Sequence, residues 1–333
     1  GMPKLAINGG FPVREKVFPQ WPVFSEEDKI ALLSVLESRK WGTLGPLAEE
    51  FQEKFAAFAG ASYGLSIFNG TVSLETALRA AGIGPDDEVI VPPYTFVATA
   101  SSVLSVGADP VFADIDTDNF NCINPSAVEA VITPRTRAVI PVHMAGCPAE
   151  MNPILDLAKK HGLFILEDAA QAHGAEYKGQ KIGSIGHAAS FSFQETKNMA
   201  AGEGGILTTN SADFWEKCWT VHNTGRVTGG AWYQHEFHGS NYRMTEWQAA
   251  ILLGQLSRLP EQMKKRESNA RLLYSRLEGM EGIELFPLRD DFKYAWHLFM
   301  FKLDEVLTCE VNKRRFAEAL TAEGIPTEAG YVN

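Results

Sequence analysis

The 333-residue chain predicts an α/β protein: a large domain with a mostly parallel, seven-stranded sheet between helices, then a smaller C-terminal α/β domain. Three observations carry that expectation. Between Gly64 and Thr209, short runs rich in β-branched residues alternate with amphipathic helical stretches, the pattern of a parallel sheet with helices on its faces. Turns with glycine, a carboxylate or a hydroxyl stand at the exits of several of those runs, where open α/β sheets collect ligands. After Thr209 the pattern changes to an irregular aromatic stretch, long helices and two further strand-like runs.

Taken in order, residues 1–24 are expected to be an extended arm of the kind that lies on a neighbouring subunit. Gly9-Gly10-Phe11-Pro12 and Phe18-Pro19-Gln20-Trp21-Pro22 exclude a regular helix there. Ser25 is followed three positions later by Asp28, a capping signal, and Ile30, Leu33 and Leu36 continue at helical spacing, so a helix is predicted to about Arg39. Trp41-Gly42-Thr43-Leu44-Gly45-Pro46 breaks it. Phe51, Phe55 and Phe58 mark the core stripe of a second helix over 47–59. Strands are predicted at 65–68, 88–91, 109–114, 138–142, 164–167, 189–193 and 206–209, with helices at 73–81, 95–106 and 150–161. Ser211-Ala212-Asp213 opens another helix, and 225–242 reads as an irregular loop too long for a mere connector. Helices over 246–259 and 261–277 are expected to be separated at Pro260. The large domain is placed at 25–255 and the small one at 256–333, with strands at 283–286 and 296–303 and a helix at 311–323. The small domain is expected to be incomplete, because the chain stops at Asn333 without a closing element.

Acidic residues outnumber basic ones by 41 to 30, a net charge of -11, and no basic block occurs, so a small molecule is a better partner than nucleic acid or an anionic membrane. Cys122, Cys147, Cys218 and Cys309 form no C-x-x-C pair, which speaks against a zinc site or disulfide framework and suits core thiols in a reducing cytoplasm. No metal site is expected. No uninterrupted apolar run is long enough for a transmembrane helix.

Lys197 stands in Phe193-Gln194-Glu195-Thr196-Lys197-Asn198, between a strand-like run and a glycine-rich turn that feeds the next strand. Partial desolvation at such an exit disfavours the ammonium and leaves a nucleophilic amine, which suits a Schiff-base lysine. By residue type alone it is a solvated loop lysine, since lysine is almost never fully buried. Asn69-Gly70-Thr71 joins a strand to a helix and offers free N–H groups and a hydroxyl for a phosphate; it also reads as an ordinary N-cap. No G-x-G-x-x-G follows a strand and no P-loop occurs, so a cofactor here would be a monophosphate. Asp168, at a strand end, can hold a heterocyclic nitrogen protonated, or can serve as a cap or ion-pair residue. Phe96 can stack on a flat ring or pack in the core. His173 is expected to be structural. Asn241 and Arg243 lie in the irregular segment, where they could reach an anion across a subunit boundary.

Together these motifs resemble the DegT/DnrJ/EryC1/StrS family, pyridoxal-phosphate-dependent aminotransferases of fold type I that act on keto-sugars and keto-cyclitols. The likeness runs from Trp41-Gly42-Thr43-Leu44-Gly45-Pro46 through Asn69-Gly70-Thr71, Glu167-Asp168-Ala169-Ala170-Gln171 and Lys197-Asn198 with Gly202-Glu203-Gly204-Gly205, to Asn241-Tyr242-Arg243-Met244. The resemblance implies that Lys197 binds pyridoxal 5'-phosphate covalently, Asp168 pairs with the pyridine nitrogen, Phe96 stacks on the ring and Gln171 lies beside its 3-hydroxyl. Gly70, Thr71 and Ser192 would contact the phosphate. Asn241 would reach it from the other subunit of a homodimer with shared sites. Ser192-Phe193-Gln194, with 141–146 and Asn8-Gly9-Gly10, is more similar to the branch holding scyllo-inosose aminotransferases and 3-amino-5-hydroxybenzoate synthases. Gln194 and Arg243 are therefore expected to face substrate. The implied reaction moves an amino group from glutamate or glutamine to a ring ketone. Dehydration or aromatisation on the same cofactor, and a noncatalytic regulatory relative, are the alternatives.

Overall fold

The computed structural model describes residues 3–304 and 311–331, so Cys309 lies outside the described residues. Cys122, Cys147 and Cys218 are buried free thiols. The sheet consists of β1 (Tyr63–Ile67), β2 (Glu88–Val91), β3 (Asp109–Phe112), β4 (Thr136–Val139), β5 (Phe164–Asp168), β6 (Ala188–Ser192) and β7 (Gly205–Thr209). Its spatial order is β1-β7-β6-β5-β4-β2-β3. Neighbouring strands are parallel except at β7, which runs antiparallel to both β1 and β6. Each of the seven strands expected for this sheet is present within a few residues of its place.

Helices cover both faces, so side chains that alternate along a strand enter two different cores. On β7, Ile206 joins Phe51, Phe55, Phe191 and Phe193 on one face, while Leu207 joins Leu65, Ile67, Leu74 and Leu78 on the other. The helices in order are α1 (Glu26–Ser38), α2 (Pro46–Phe58), α3 (Gly70–Ala80), α4 (Ala98–Ser105), α5 (Pro125–Ala130), α6 (Met151–His161), α7 (Ala212–His222) and α8 (Glu246–Leu277). The Ser25–Asp28 capping box forms as expected, with Ser25 N donating to Asp28 Oδ2 at 2.9 Å. Short α5 was not anticipated, although Asn124 caps it and Pro125 occupies its first position, both helix-start signals.

Two expectations fail. Helix α8 is continuous across Pro260, so the chain does not break there. Leu252, Gln255, Leu259, Met263 and Ala270 form one buried stripe on both sides of the proline, and α8 packs on α1 and α2. That tertiary burial outweighs the ~3 kcal/mol a proline costs inside a helix. The second failure is the strand over 296–303, which shortens to Phe301–Leu303, paired antiparallel with Ile283–Leu285. Trp296 takes a positive φ of 50°, and His297 N donates to Ala145 O at 3.0 Å, so the backbone folds over the sheet's end before any strand can begin.

The N-terminal segment folds against its own chain. A short 3-10 turn, Ala6–Asn8, packs beside the C-terminal helix Lys313–Ala322. The Glu323 carboxylate accepts from Ala6 N at 2.8 Å and Val13 N at 2.9 Å.

Candidate active site

The C-terminal ends of β1, β5 and β6 and the start of β7 converge on one region, and local chemistry explains each residue there. Asn69 leaves β1 in extended conformation and caps α3, its Oδ1 accepting from Val72 N at 3.0 Å. Ser73 N bonds to Asn69 O, so Gly70 and Thr71 carry free amides of the first turn, at the positive end of the helix. Gly70 must be glycine: a Cβ there would lie 2.8 Å from the Ser192 Cβ. Ser190 Oγ donates to Gly70 O at 3.2 Å, and Ser192 Oγ accepts from Gln194 N at 3.3 Å, so β6 holds this turn directly against itself.

Asp168 ends β5 and is buried. Thr99 Oγ1 of α4 donates to its Oδ2 at 2.8 Å, and Ala170 N donates to Oδ1 at 3.2 Å. Burial raises the Asp168 carboxyl above the usual range, opposed by these two bonds and by the Lys197 charge. Such a group holds its charge at a cost that a cationic partner would relieve. Its neighbour Glu167 points to the opposite face, where it binds His143 at 3.0 Å and the amides of Gly183, Ile185 and Gly186.

Lys197 lies in the loop between β6 and β7, half-buried, and among the described residues its amine has no hydrogen bond or ion pair. Burial lowers its affinity for a proton, with Asp168 acting in the opposite sense. The lysine and the carboxylate thus perturb one another electrostatically. Gln171 Oε1 accepts from Ala145 N at 2.7 Å, and its Nε2 donates to Tyr331 OH at 3.1 Å. His173 is buried among Phe55, Phe191 and Phe193 and donates from Nε2 to Ser192 O at 2.8 Å, a structural role as anticipated. Burial pushes its pKa down to about 3, so it is neutral.

The remaining expected residues stand apart from this cluster. Phe96 is 58% exposed at the mouth of the loop before α4. Gln194 uses Oε1 to accept from Thr196 N at 3.0 Å and Thr196 Oγ1 at 2.6 Å, which leaves only its amide nitrogen for another partner. Arg243 pairs by a bridge with Ile67 and donates from Nε to Asn241 Oδ1 at 2.9 Å and from Nη1 to Asn223 Oδ1 at 3.2 Å. Asn241 is exposed and, among the described residues, makes no hydrogen bond to any of the clustered residues.

Four residues that surround the site carried no sequence signal: Thr99, Tyr331, His297 and Trp21. His297 is near enough to Lys197 to feel its charge, and burial lowers its pKa to about 3. Its Nδ1 donates to Asn198 Oδ1 at 3.3 Å, while Asn198 Nδ2 donates to Ala295 O at 2.8 Å. Trp21 Nε1 donates to Lys197 O at 3.1 Å.

The sheet order, the helix-start turn and the lysine and aspartate that feel one another's charge suit a cofactor-dependent transferase, and the sequence profile of the DegT/DnrJ/EryC1/StrS aminotransferase family matches residues 22–333. The chain belongs to that family; it is an aminotransferase, and its cofactor is pyridoxal phosphate. It is 38% identical over 344 residues to the L-glutamine:2-deoxy-scyllo-inosose aminotransferase of Streptomyces paromomycinus, covering 98% of this chain and 81% of that one. It is 42% identical over 294 residues to the spore coat polysaccharide biosynthesis protein SpsC of Bacillus subtilis, covering 85% of this chain and 75% of that one. The crystal structure of 3-amino-5-hydroxybenzoic acid synthase superposes with a TM-score of 0.89 at 35% identity, over 95% of this chain and 83% of that one. The residues present fit the cofactor. The first-turn amides of Gly70 and Thr71, beside the Ser192 hydroxyl, suit a phosphate, and the buried Asp168 suits a cationic ring nitrogen.

Proposed function

We propose that this aminotransferase moves an amino group from glutamate or glutamine to a ketone on a cyclitol or sugar ring, with Lys197 as the catalytic residue. The observation that carries the reading is the mutual perturbation of a half-buried, unpartnered Lys197 amine and a buried Asp168 carboxylate beside a free helix N-terminus. The named relative that uses glutamine and 2-deoxy-scyllo-inosose supports the substrate class.

Gly70 and Thr71 would bind the phosphate through the first-turn amides, with Ser192 beside them. Asp168, held by Thr99 and Ala170, would keep the ring nitrogen protonated, and Gln171 would orient the ring from the Tyr331 side. Phe96, exposed here, would close over the ring face. When bound, the cofactor supplies the electron sink that makes the donor's Cα proton removable. Lys197 Nζ takes that proton and returns it on the other side of the exchange, a role that the burial-lowered proton affinity of its amine favours. Gln194, through its free amide nitrogen, and Arg243 would meet the substrate.

Asn241 and a second copy of the chain would complete the phosphate site in a cytoplasmic homodimer. Its exposure, together with exposed Phe24, Ile30, Leu33 and Trp41, supports that reading. Because one structural neighbour is 3-amino-5-hydroxybenzoic acid synthase, dehydration with aromatisation is the second reading.

The test is incubation with amide- and amino-labelled glutamine and a panel of keto-cyclitols and keto-sugars, free and nucleotide-linked. Label in a ring amine supports amino transfer; an ultraviolet-absorbing aromatic product without it supports the second reading. Lys197→Ala turning over at the normal rate would sink both.

A further inference from the structure

Between Glu15 and Phe24 every side chain is exposed except Trp21, whose indole reaches the loop that carries Lys197. The indole Nε1 donates to the carbonyl oxygen of Lys197 itself at 3.1 Å. On the other side of the same residue, Lys197 N donates to Gln194 O at 2.9 Å. Both peptide groups flanking the lysine Cα are thereby held, one by its own loop and one by the arm.

The indole is itself fixed. The Arg266 guanidinium lies 5.3 Å from its ring centroid and donates from Nη1 to Trp296 O at 3.3 Å. Gln255 of α8, buried at 4% exposure, ties the same two segments a second time: its Nε2 donates to Val23 O at 2.9 Å and its Oε1 accepts from Ala200 N at 3.3 Å. The stretch is anchored at both ends, by Arg14 N on Glu323 O and by the Ser25–Asp28 cap that pairs with Arg258.

We propose that Trp21 is a positioning residue for Lys197, its indole N–H fixing the lysine backbone so that the amine stays in place over the cleft. The proposal rests on the assignment of Lys197 as the residue that joins the cofactor. The amine has no hydrogen-bond partner of its own among the described residues, so its place depends on the four methylenes and on the backbone that Trp21 helps to hold. Releasing the Lys197 carbonyl lets the loop open and admits water to the amine. A lysine whose proton affinity is lowered by burial then moves back toward the ordinary value, so its pKa rises.

The atomic test replaces Trp21 with 3-benzothienylalanine, in which sulfur stands where the indole has N–H and the shape is kept; Trp21→Phe is a second variant. Borohydride reduction of each cofactor-loaded protein, followed by peptide mapping, first establishes that the cofactor is attached at Lys197. Attachment at another lysine sinks the Lys197 assignment and this proposal with it. With attachment at Lys197, competitive acetylation of the apoprotein across pH gives the midpoint at which Lys197 becomes reactive. For the benzothienyl protein the expected result is a midpoint shifted upward and kcat lowered by about tenfold, the rate equivalent of one lost hydrogen bond, with KM for the donor within about twofold. A role in packing alone leaves the midpoint where it is, because the isostere fills the same space; an unchanged midpoint overturns the proposal whatever happens to kcat.

Discussion

Replacing Thr99 with valine removes one hydroxyl and almost no volume from a residue that is 1% exposed. The hydroxyl donates to Asp168 Oδ2 at 2.8 Å and is itself 2.8 Å from Thr95 Oγ1. A hydrogen bond to a charged acceptor contributes about 1.5–3 kcal/mol, and one pKa unit corresponds to about 1.4 kcal/mol, so the bond is worth about 1–2 units to the Asp168 carboxylate. Asp168 is already raised by burial, and losing a donor to its charged form raises it further. Protonated Asp168 cannot balance a cationic ring nitrogen, so the apoprotein's affinity for pyridoxal phosphate should fall as pH drops through this pKa. The assay is a spectrophotometric titration of apoprotein with cofactor at successive pH values. In Thr99→Val the acid-side midpoint should move up by about 1–2 pH units, and kcat near neutrality should fall by about tenfold to a hundredfold. An unmoved midpoint would refute the claim that Thr99 keeps Asp168 ionised.

Gly70→Ala should weaken cofactor binding by at least about tenfold, because the new Cβ would need the Ser192 side chain, 2.8 Å away, to move out of β6; equilibrium dialysis checks it. Pro260→Ala should raise the melting temperature, since Pro260 is exposed in the middle of α8 and its removal recovers up to about 3 kcal/mol of helix propensity; a lower melting temperature would contradict the packed-stripe account. His173, His222 and His297 have folded pKa values of about 3, 4 and 3, below the unfolded value near 6.5. Below pH 6.5 the unfolded chain binds more protons than the folded one, so each histidine should lower stability by up to about 1.4 kcal/mol per pH unit until its own folded pKa is reached. Urea titrations between pH 7 and 4 should show this slope, offset by Asp168, whose raised pKa acts in the opposite sense, and His173→Leu should reduce it by one proton's worth.

Lys197 and Asp168 could be placed at strand exits from local pattern, but only the five motifs taken together raised Lys197 above an ordinary loop lysine. The α3 cap was legible for the same reason: Asn69 acts on residues three and four positions away. What surrounds these residues was not. Trp21 meets Lys197 across 176 positions, Tyr331 meets Gln171 across 160 and Thr99 meets Asp168 across 69, and no local periodicity reports such partners. The Pro260 error has the opposite origin. A local rule was applied correctly, but α8 is held by packing along its whole length, which helix propensity does not register. Similarly, nothing in Gln194 itself showed that Thr196 would occupy its carbonyl oxygen.

The antiparallel strand β7 has a consequence for the order in which the molecule can assemble. It lies between β1 and β6, so Ile67 of β1 is paired with Gly205, roughly 140 residues later. The turn that begins α3 is backed by Gly205 and by Ser192 of β6, as a Cβ on Gly205 would come within 2.6 Å of Asn69. The phosphate cradle therefore cannot exist in a nascent chain that has produced only its first strands, however well α3 has formed. It is complete only once β7 has paired with β1, and a ligand that binds only the completed cradle then favours the finished fold by mass action. Cofactor capture is in this sense a readout of completed topology, and partly folded chains should remain colourless until the long loop has been closed.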